Sequence, residues 1–282
     1  MQDKTDPQAL PDRTGPPPRP GKPAAEAIKI FGERNTATNA VTLIIRKNSR
    51  TPLIATTANM VFARTAAPGA KLELPKARIK REARLDQVFA GAGPIFAWKH
   101  AATHFSDISD YRNCLVLFCV RHPASWLMGL HRRPYNNLVR LPADFRAFLD
   151  LEWVTLGREL LDGARLDPIT LYNEKLRSYL HFINQLQAQD TPYHIVRQED
   201  FAMDQTAFLS EIRPYLSKPK RRFKPIQRST KDKTKDAEYY RNYYTKELWR
   251  AEIDAECMAE IEARVDWQAA GVFGYHKGVT SG

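Results

Sequence analysis

The chain has 282 residues, with 43 Lys and Arg against 32 Asp and Glu and a formal net charge of +11. This length suits one large α/β domain, and no apolar run approaches the ~20 residues of a membrane-spanning helix. The positive balance implies an anionic partner without choosing among nucleic acid, an anionic cofactor, an acidic glycan and a membrane surface.

Residues 1–26 carry Pro7, Pro11, Pro16, Pro17, Pro18, Pro20 and Pro23 among charged residues, with no apolar period. They are expected to form a disordered tail and, lacking a continuous apolar stretch, not a secretory signal. The domain is expected to span 27–277, followed by a short tail at 278–282. Its first predicted strand, Ala27 to Phe31, ends at Gly32 and hands over through Glu33-Arg34-Asn35-Thr36-Ala37 to a helix from Thr38 to Lys47. A strand, tight turn and helix start present backbone N–H groups and a positive dipole end, the outline of a phosphate site. An ordinary βα unit with a Thr-rich helix start reads the same way. The loop lacks the Gly-Lys pair of nucleotide triphosphatases, since no Lys lies between Gly32 and Arg46. Its remaining groups, Arg34, Asn35, Thr36, Thr38 and Asn39, suit a phosphate held without a metal.

The region 50–93 is basic and poorly patterned, with Lys76, Arg78, Lys80, Arg81 and Arg84 in one run. It reads as a lid or an acceptor-side insertion. A short strand is expected from Ile95 to Trp98, leading into Lys99 and His100. From Cys114 to Val120 a continuous apolar run suits a central parallel strand. It ends at Arg121-His122-Pro123, and a helix is expected from Ala124 to Arg132. Arg121 therefore falls at the sheet edge where ligands bind in open α/β sheets, as a phosphate clamp or as the partner of a local carboxylate. Further helices are expected at Ala143 to Asp150, Asn173 to Gln189, Gln205 to Leu216, Tyr239 to Trp249 and Ala255 to Val265, with a strand at His194 to Arg197. A second basic run, Lys218 to Lys235, holds nine Lys and Arg residues. Three cysteines, Cys114, Cys119 and Cys257, lack metal-ligand spacing, which predicts buried free thiols in a reducing, cytoplasmic compartment. Together the elements predict an α/β, P-loop-like three-layer fold, a parallel sheet of about four or five short strands flanked by helices.

Two motifs in this order resemble the sulfotransferases that use 3′-phosphoadenosine 5′-phosphosulfate (PAPS). Gly32 to Asn39 is similar to their 5′-phosphosulfate loop, and Val120-Arg121-His122-Pro123 through Gly129-Leu130 to their 3′-phosphate motif. Ile95 to His100, Tyr193 to Phe201 and the segment from Tyr239 to Tyr275 resemble further pieces of the same family. The resemblance implies that the N–H groups of Thr36, Ala37, Thr38 and Asn39, with the two Thr hydroxyls, hold the 5′ side of PAPS, and that Arg121 holds the 3′-phosphate. One of Lys231, Lys233 and Lys235 would complete that clamp. Three departures stand out. Ala37 replaces the usual glycine, which a helical φ would tolerate. Gly129 replaces the 3′-phosphate serine, so that hydroxyl contact is missing unless Ser125 or a neighbouring residue replaces it. Asn35 stands where the family has a catalytic basic residue, one place after Arg34.

Sulfuryl transfer relies on positioning and cationic stabilisation, for which Arg34, Lys99 and the loop N–H groups are the candidates. His100 is the first candidate for the base that takes the acceptor proton, and His104, one helical turn later, is the reserve. His122 reads as a turn-stabilising residue. Trp98, Trp126 and Tyr135 read as core or pocket-wall aromatics, with Trp126 near enough to the nucleotide end to stack on adenine. The function so implied is transfer of sulfuryl to a hydroxyl of a glycan, lipid or small metabolite. The alternative is a degenerate module of that fold that binds an acidic glycan or nucleic acid. No firm nucleic-acid role follows, and peripheral membrane contact stays open.

Overall fold

The structure, a computed structural model, describes residues 24–135, 138–228, 232 and 234–278. In chain order its elements are β1 (Ala27–Gly32), α1 (Thr38–Asn48), α2 (Ala58–Thr65), α3 (Arg78–Ala90), β2 (Cys114–Val120), α4 (Pro123–Arg132), α5 (Phe145–Leu149) and β3 (Trp153–Val154). They continue with β4 (Arg165–Leu166), α6 (Pro168–Ala188), β5 (Tyr193–Arg197), α7 (Gln198–Met203), α8 (Gln205–Ile212), α9 (Ala237–Thr245), α10 (Ala255–Arg264) and α11 (Trp267–Val272).

β1, β2 and β5 form a parallel sheet in that order, with Ala27 opposite Cys114 and Val116 opposite Tyr193. Beyond β1 a single parallel bridge joins Ile28 to Leu53. The chain thus leaves β1 through α1 to one side and returns to β2 on the other. That reversal opens a crevice at the carboxyl ends of β1 and β2, where open α/β sheets bind ligands.

β2 reads as an unbroken apolar run because both of its faces are covered. Val116, Phe118 and Val120 pack with Tyr179 and Phe182 of α6. Leu115, Leu117 and Cys119 pack with Val41, Ile44 and Ile45 of α1 and with Phe208 and Ile212 of α8. Helices therefore cover both sides of the sheet, giving three layers. Each large apolar side chain taken fully out of water contributes ~1.5–3 kcal/mol to this arrangement.

Several helix starts are set by aspartates. Asp144, Asp167, Asp204, Asp236, Asp254 and Asp266 each accept backbone N–H groups at a helix N-terminus. At α6, Asp167 and Pro168 start the helix before the expected Asn173, since Pro at the first helical position needs no N–H partner.

The fold corrects other expectations. Among the described residues the main sheet has three strands rather than four or five, and Trp153–Val154 pairs separately and antiparallel with Arg165–Leu166. Ile95 to Trp98 is not a strand, because Pro94–Phe96 forms a 3-10 turn. The buried ammonium of Lys29 in β1 takes the carbonyls of Ile95 at 2.7 Å and Ala97 at 2.8 Å, so these acceptors are not spent on a sheet ladder. The region 50–93 contains α2 and α3. Within the expected tail 1–26, Ala25 is already bridged to Leu216, while residues 1–23 lie outside the described residues. No described helix is long and apolar enough to cross a membrane.

Candidate functional site

The turn after β1 is built on alternating backbone signs. Asn35 has φ 65° and Ala37 has φ 61°, whereas Thr36 between them keeps a negative φ. Such alternation turns successive N–H groups toward one concave side, the geometry of an anion-binding nest. Ala37 is the residue before α1, whose first backbone bond runs from Val41 N–H to Ala37 O at 3.0 Å, so the N–H groups of Thr38, Asn39 and Ala40 precede the helical ladder. The tolerance expected for Ala37 at a helical φ is overturned, because it sits in the left-handed region. A Cβ there costs roughly 1–2 kcal/mol. Ala37→Gly is expected to raise stability by about 1 kcal/mol, or a melting temperature by about 2–4 °C. Thermal unfolding monitored by circular dichroism checks this; an unchanged or lower midpoint would remove the strain argument.

Gly32 is required for a different reason. A Cβ on it would lie 2.5 Å from Cys119 O and 2.9 Å from Thr36 Oγ1. The Thr36 hydroxyl donates to Glu33 O at 2.5 Å and so closes the turn.

At the end of β2, Arg121 is buried and held on three sides. Its Nε donates to Ser125 Oγ at 2.8 Å, one terminal nitrogen donates to Asn35 O at 3.2 Å, and its guanidinium stacks 5.3 Å from the Tyr244 ring centroid. Gly129 makes room for it, since a Cβ at that position would lie 2.6 Å from the guanidinium. A serine does not fit at 129 beside this Arg121 conformation; Ser125 supplies the nearby hydroxyl instead. The Asn35 amide donates to the Gly129 and Arg133 carbonyls at 3.1 and 3.4 Å, tying the loop to the end of α4.

These groups meet in one cleft. Its walls include Asn35, Ala37, Thr38, Asn39, Arg121 and Gly129, with Arg132, Arg133, Arg228 and Lys235 adding charge. The lining is also aromatic, with Tyr239, Tyr240, Tyr243 and Tyr244 of α9 and Phe201 of α7. No Asp or Glu lines the cleft among the described residues. At the rim, Asp232 pairs with Arg133 at 3.6 Å and with Lys235 at 3.8 Å. Of the three lysines weighed for the clamp, Lys235 lines the cleft, and Lys231 and Lys233 lie outside the described residues.

Arg34, Thr36, Lys99 and His100 do not line this cleft; they gather behind the loop. Lys99 Nζ donates to Asn39 Oδ1 at 2.5 Å, and Lys99 O accepts the Gly32 N–H at 2.9 Å. His100 Nδ1 lies 2.5 Å from Gly32 O, which fixes the proton on Nδ1 and leaves Nε2 as the lone-pair nitrogen. Burial, then the charges of Lys99 and Arg34, hold the His100 imidazole well below its ordinary range. Arg34 packs its guanidinium over Tyr135 at 4.7 Å and Trp98 at 5.3 Å, and burial lowers its affinity for protons.

Other expected positions fall elsewhere. His104 is exposed beside His181 of α6, in irregular chain rather than one helical turn beyond His100, so it leaves the site. Trp126 is fully buried against Tyr172 and donates to Arg34 O at 2.9 Å, which makes it a support for the loop and not an adenine-stacking face. His122 stacks on Trp249 at 4.7 Å and its N–H donates to Glu199 Oε1 at 3.0 Å; burial pushes its imidazole down to about 3. All three cysteines are free and buried, and burial raises Cys114 to about 11 and Cys119 to about 12.

The sequence reading missed a buried charge cluster beneath the loop. Lys175 of α6 lies 3.1 Å from Glu33 Oε1 and 3.8 Å from Glu159 Oε2, and donates to His100 O at 2.5 Å. Burial is the main cause that raises Glu159 to about 7, with Glu33 adding repulsion against the pull of Lys175. A signal for it existed, because Lys175 falls in step with Leu171, Tyr179 and Phe182 on the apolar face of α6. Compared with known proteins, the chain matches no family model, no curated protein and no solved structure.

Proposed function

We propose that the chain is a cytoplasmic, PAPS-dependent sulfotransferase on a P-loop-like scaffold, acting on a hydroxyl of a glycan, lipid or small metabolite. The observation that carries this reading is the cleft itself. A nested loop, a buried Arg121 and further cations, of which Arg132 pairs with Glu252 and Arg133 and Lys235 pair with Asp232, share one lining with four tyrosines. That pairing of cations with aromatic faces suits a phosphorylated ligand with a flat ring. The loop also lacks the lysine that reaches the outer phosphates in triphosphatases.

In the proposed reaction the acceptor oxygen bonds to sulfur as the bond from sulfur to the 5′-phosphate oxygen breaks. The leaving group is 3′-phosphoadenosine 5′-phosphate, and His100 Nε2 takes the acceptor proton. The loop N–H groups stabilise charge on the transferring group, with Lys99 holding Asn39 from behind the loop. Titration calorimetry of the full chain with 3′-phosphoadenosine 5′-phosphate tests the reading. Binding is expected without added metal and tighter than ATP; no heat at millimolar ligand would end it.

One arrangement favours a second reading, a degenerate module of the same fold that binds an acidic glycan or nucleic acid. Arg34 is packed against Trp98 and Tyr135, and the Asn35 amide is spent on α4 carbonyls, so the catalytic cation of the family is not reproduced in the cleft lining. Nucleotide binding with no sulfuryl transfer to any offered hydroxyl would select this reading.

A further inference from the structure

Glu82 and Asp86 of α3 point inward to one partner. Arg158 sends its two terminal nitrogens to Glu82 Oε2 at 2.5 Å and Asp86 Oδ1 at 2.6 Å, and Asp86 also accepts the Gly157 N–H at 3.0 Å. Arg158 is itself buried, so this fork fixes the helix firmly against the domain. The opposite charges go outward. Lys76, Arg78, Lys80 and Arg81 are all exposed at and just before the start of α3. Cations in a first helical turn oppose the helix dipole, so they do not serve the stability of α3.

Beside these cations the chain presents apolar tips, Ile79 between Arg78 and Lys80 and Leu74 two residues before Lys76 and next to the exposed Glu73. Ile79 is 75 % exposed and Leu74 is 36 % exposed. An isoleucine held in water by a rigid helix and ringed by Lys and Arg has a specific complement. We infer that the start of α3 docks on an anionic lipid surface, with the cations among the headgroups and Ile79 and Leu74 at the acyl boundary. A soluble polyanion would neutralise the same cations and leave Ile79 in water, which is why the bilayer is the better fit. This docking is independent of the transferase reading.

The test uses the full chain and sedimentation with large unilamellar vesicles, either pure phosphatidylcholine or containing about 30 % phosphatidylserine. Binding is expected only with phosphatidylserine. Ile79→Ser is expected to lower the partition coefficient about tenfold, because the apolar insertion is lost. Lys80→Glu with Arg81→Glu should lower it by about a hundredfold or more. These exposed positions leave the melting temperature and the affinity for 3′-phosphoadenosine 5′-phosphate unchanged. Wild-type vesicle binding by Ile79→Ser, together with retention on heparin or a single-stranded oligonucleotide that depends only on charge, would overturn the proposal in favour of a soluble polyanion. Self-association without vesicles that Ile79→Ser abolishes would overturn it in favour of a second copy of the chain.

Discussion

Arg121→Ala is expected to weaken binding of 3′-phosphoadenosine 5′-phosphate by at least a hundredfold. A guanidinium facing a phosphate makes paired, charge-assisted hydrogen bonds, and each is worth roughly 1.5–3 kcal/mol. Two of them lost together exceed ~3 kcal/mol, and the apolar replacement offers the phosphate nothing. The same substitution also removes the 2.8 Å bond to Ser125 and the 3.2 Å bond to Asn35 O, so the loop loses one tether to β2. The core under it is unaffected, because Val116, Phe118 and Val120 pack on α6 without Arg121. Calorimetry and thermal unfolding separate the two effects: a large loss of affinity with a melting point within a few degrees of wild type is expected. Arg121→Lys keeps the charge but not the planar fork and should fall between the two. Unchanged affinity in Arg121→Ala would take this residue out of the nucleotide site.

The parts of this fold that could be read from sequence are those with one dominant cause. Cys114 to Val120 had to be a strand covered on both faces, since seven successive buried positions admit no solvent side. The turn from Gly32 to Thr38 was legible from its glycine and its polar helix start. Failures came where a polar group does a structural job. Lys29 inside β1 binds the carbonyls of Ile95 and Ala97, so an apolar stretch that looked like a strand folds as a turn. α3 was hidden because the residue it buries is Glu82, not an apolar one, and its partner Arg158 lies far along the chain. The left-handed Ala37 was invisible for another reason: alanine carries no signal for positive φ, and only the surrounding nest imposes it. For the site, residue types were legible and their division was not. One set lines the cleft, while Arg34, Lys99 and His100 stand behind the loop, joined through Gly32 O and Asn39.

His100 offers the sharpest test of that rear cluster. His100→Ala is expected to lower turnover about 10²–10⁴-fold, the usual contribution of a positioned base, while affinity for 3′-phosphoadenosine 5′-phosphate is preserved. His100→Asn is the more discriminating variant, because its amide N–H can still donate to Gly32 O and keep the end of β1 in place. Turnover lost in both variants assigns the proton transfer to the imidazole; turnover restored in His100→Asn assigns a positioning role. The pH dependence follows from the direction of the shift. His100 is held well below 6.5, so its lone pair is available at neutral pH and stays available as acidity passes the ordinary histidine range. Turnover limited by this base is therefore level through pH 6.5 and falls only at lower pH. Stability behaves differently. Below about 6.5 the unfolded chain binds a proton at this position that the folded chain refuses, so stability declines as pH falls, by up to ~1.4 kcal/mol per pH unit, until the folded imidazole also protonates. His122, pushed down to about 3, contributes a slope of the same sign, so the difference between wild type and His100→Asn isolates His100. Denaturant unfolding from pH 7 to pH 4 should show a shallower acid decline in the variant. Identical slopes would mean that the folded imidazole takes up its proton at the same pH as the unfolded one, which would remove the downward shift of His100 and with it the level turnover expected through pH 6.5.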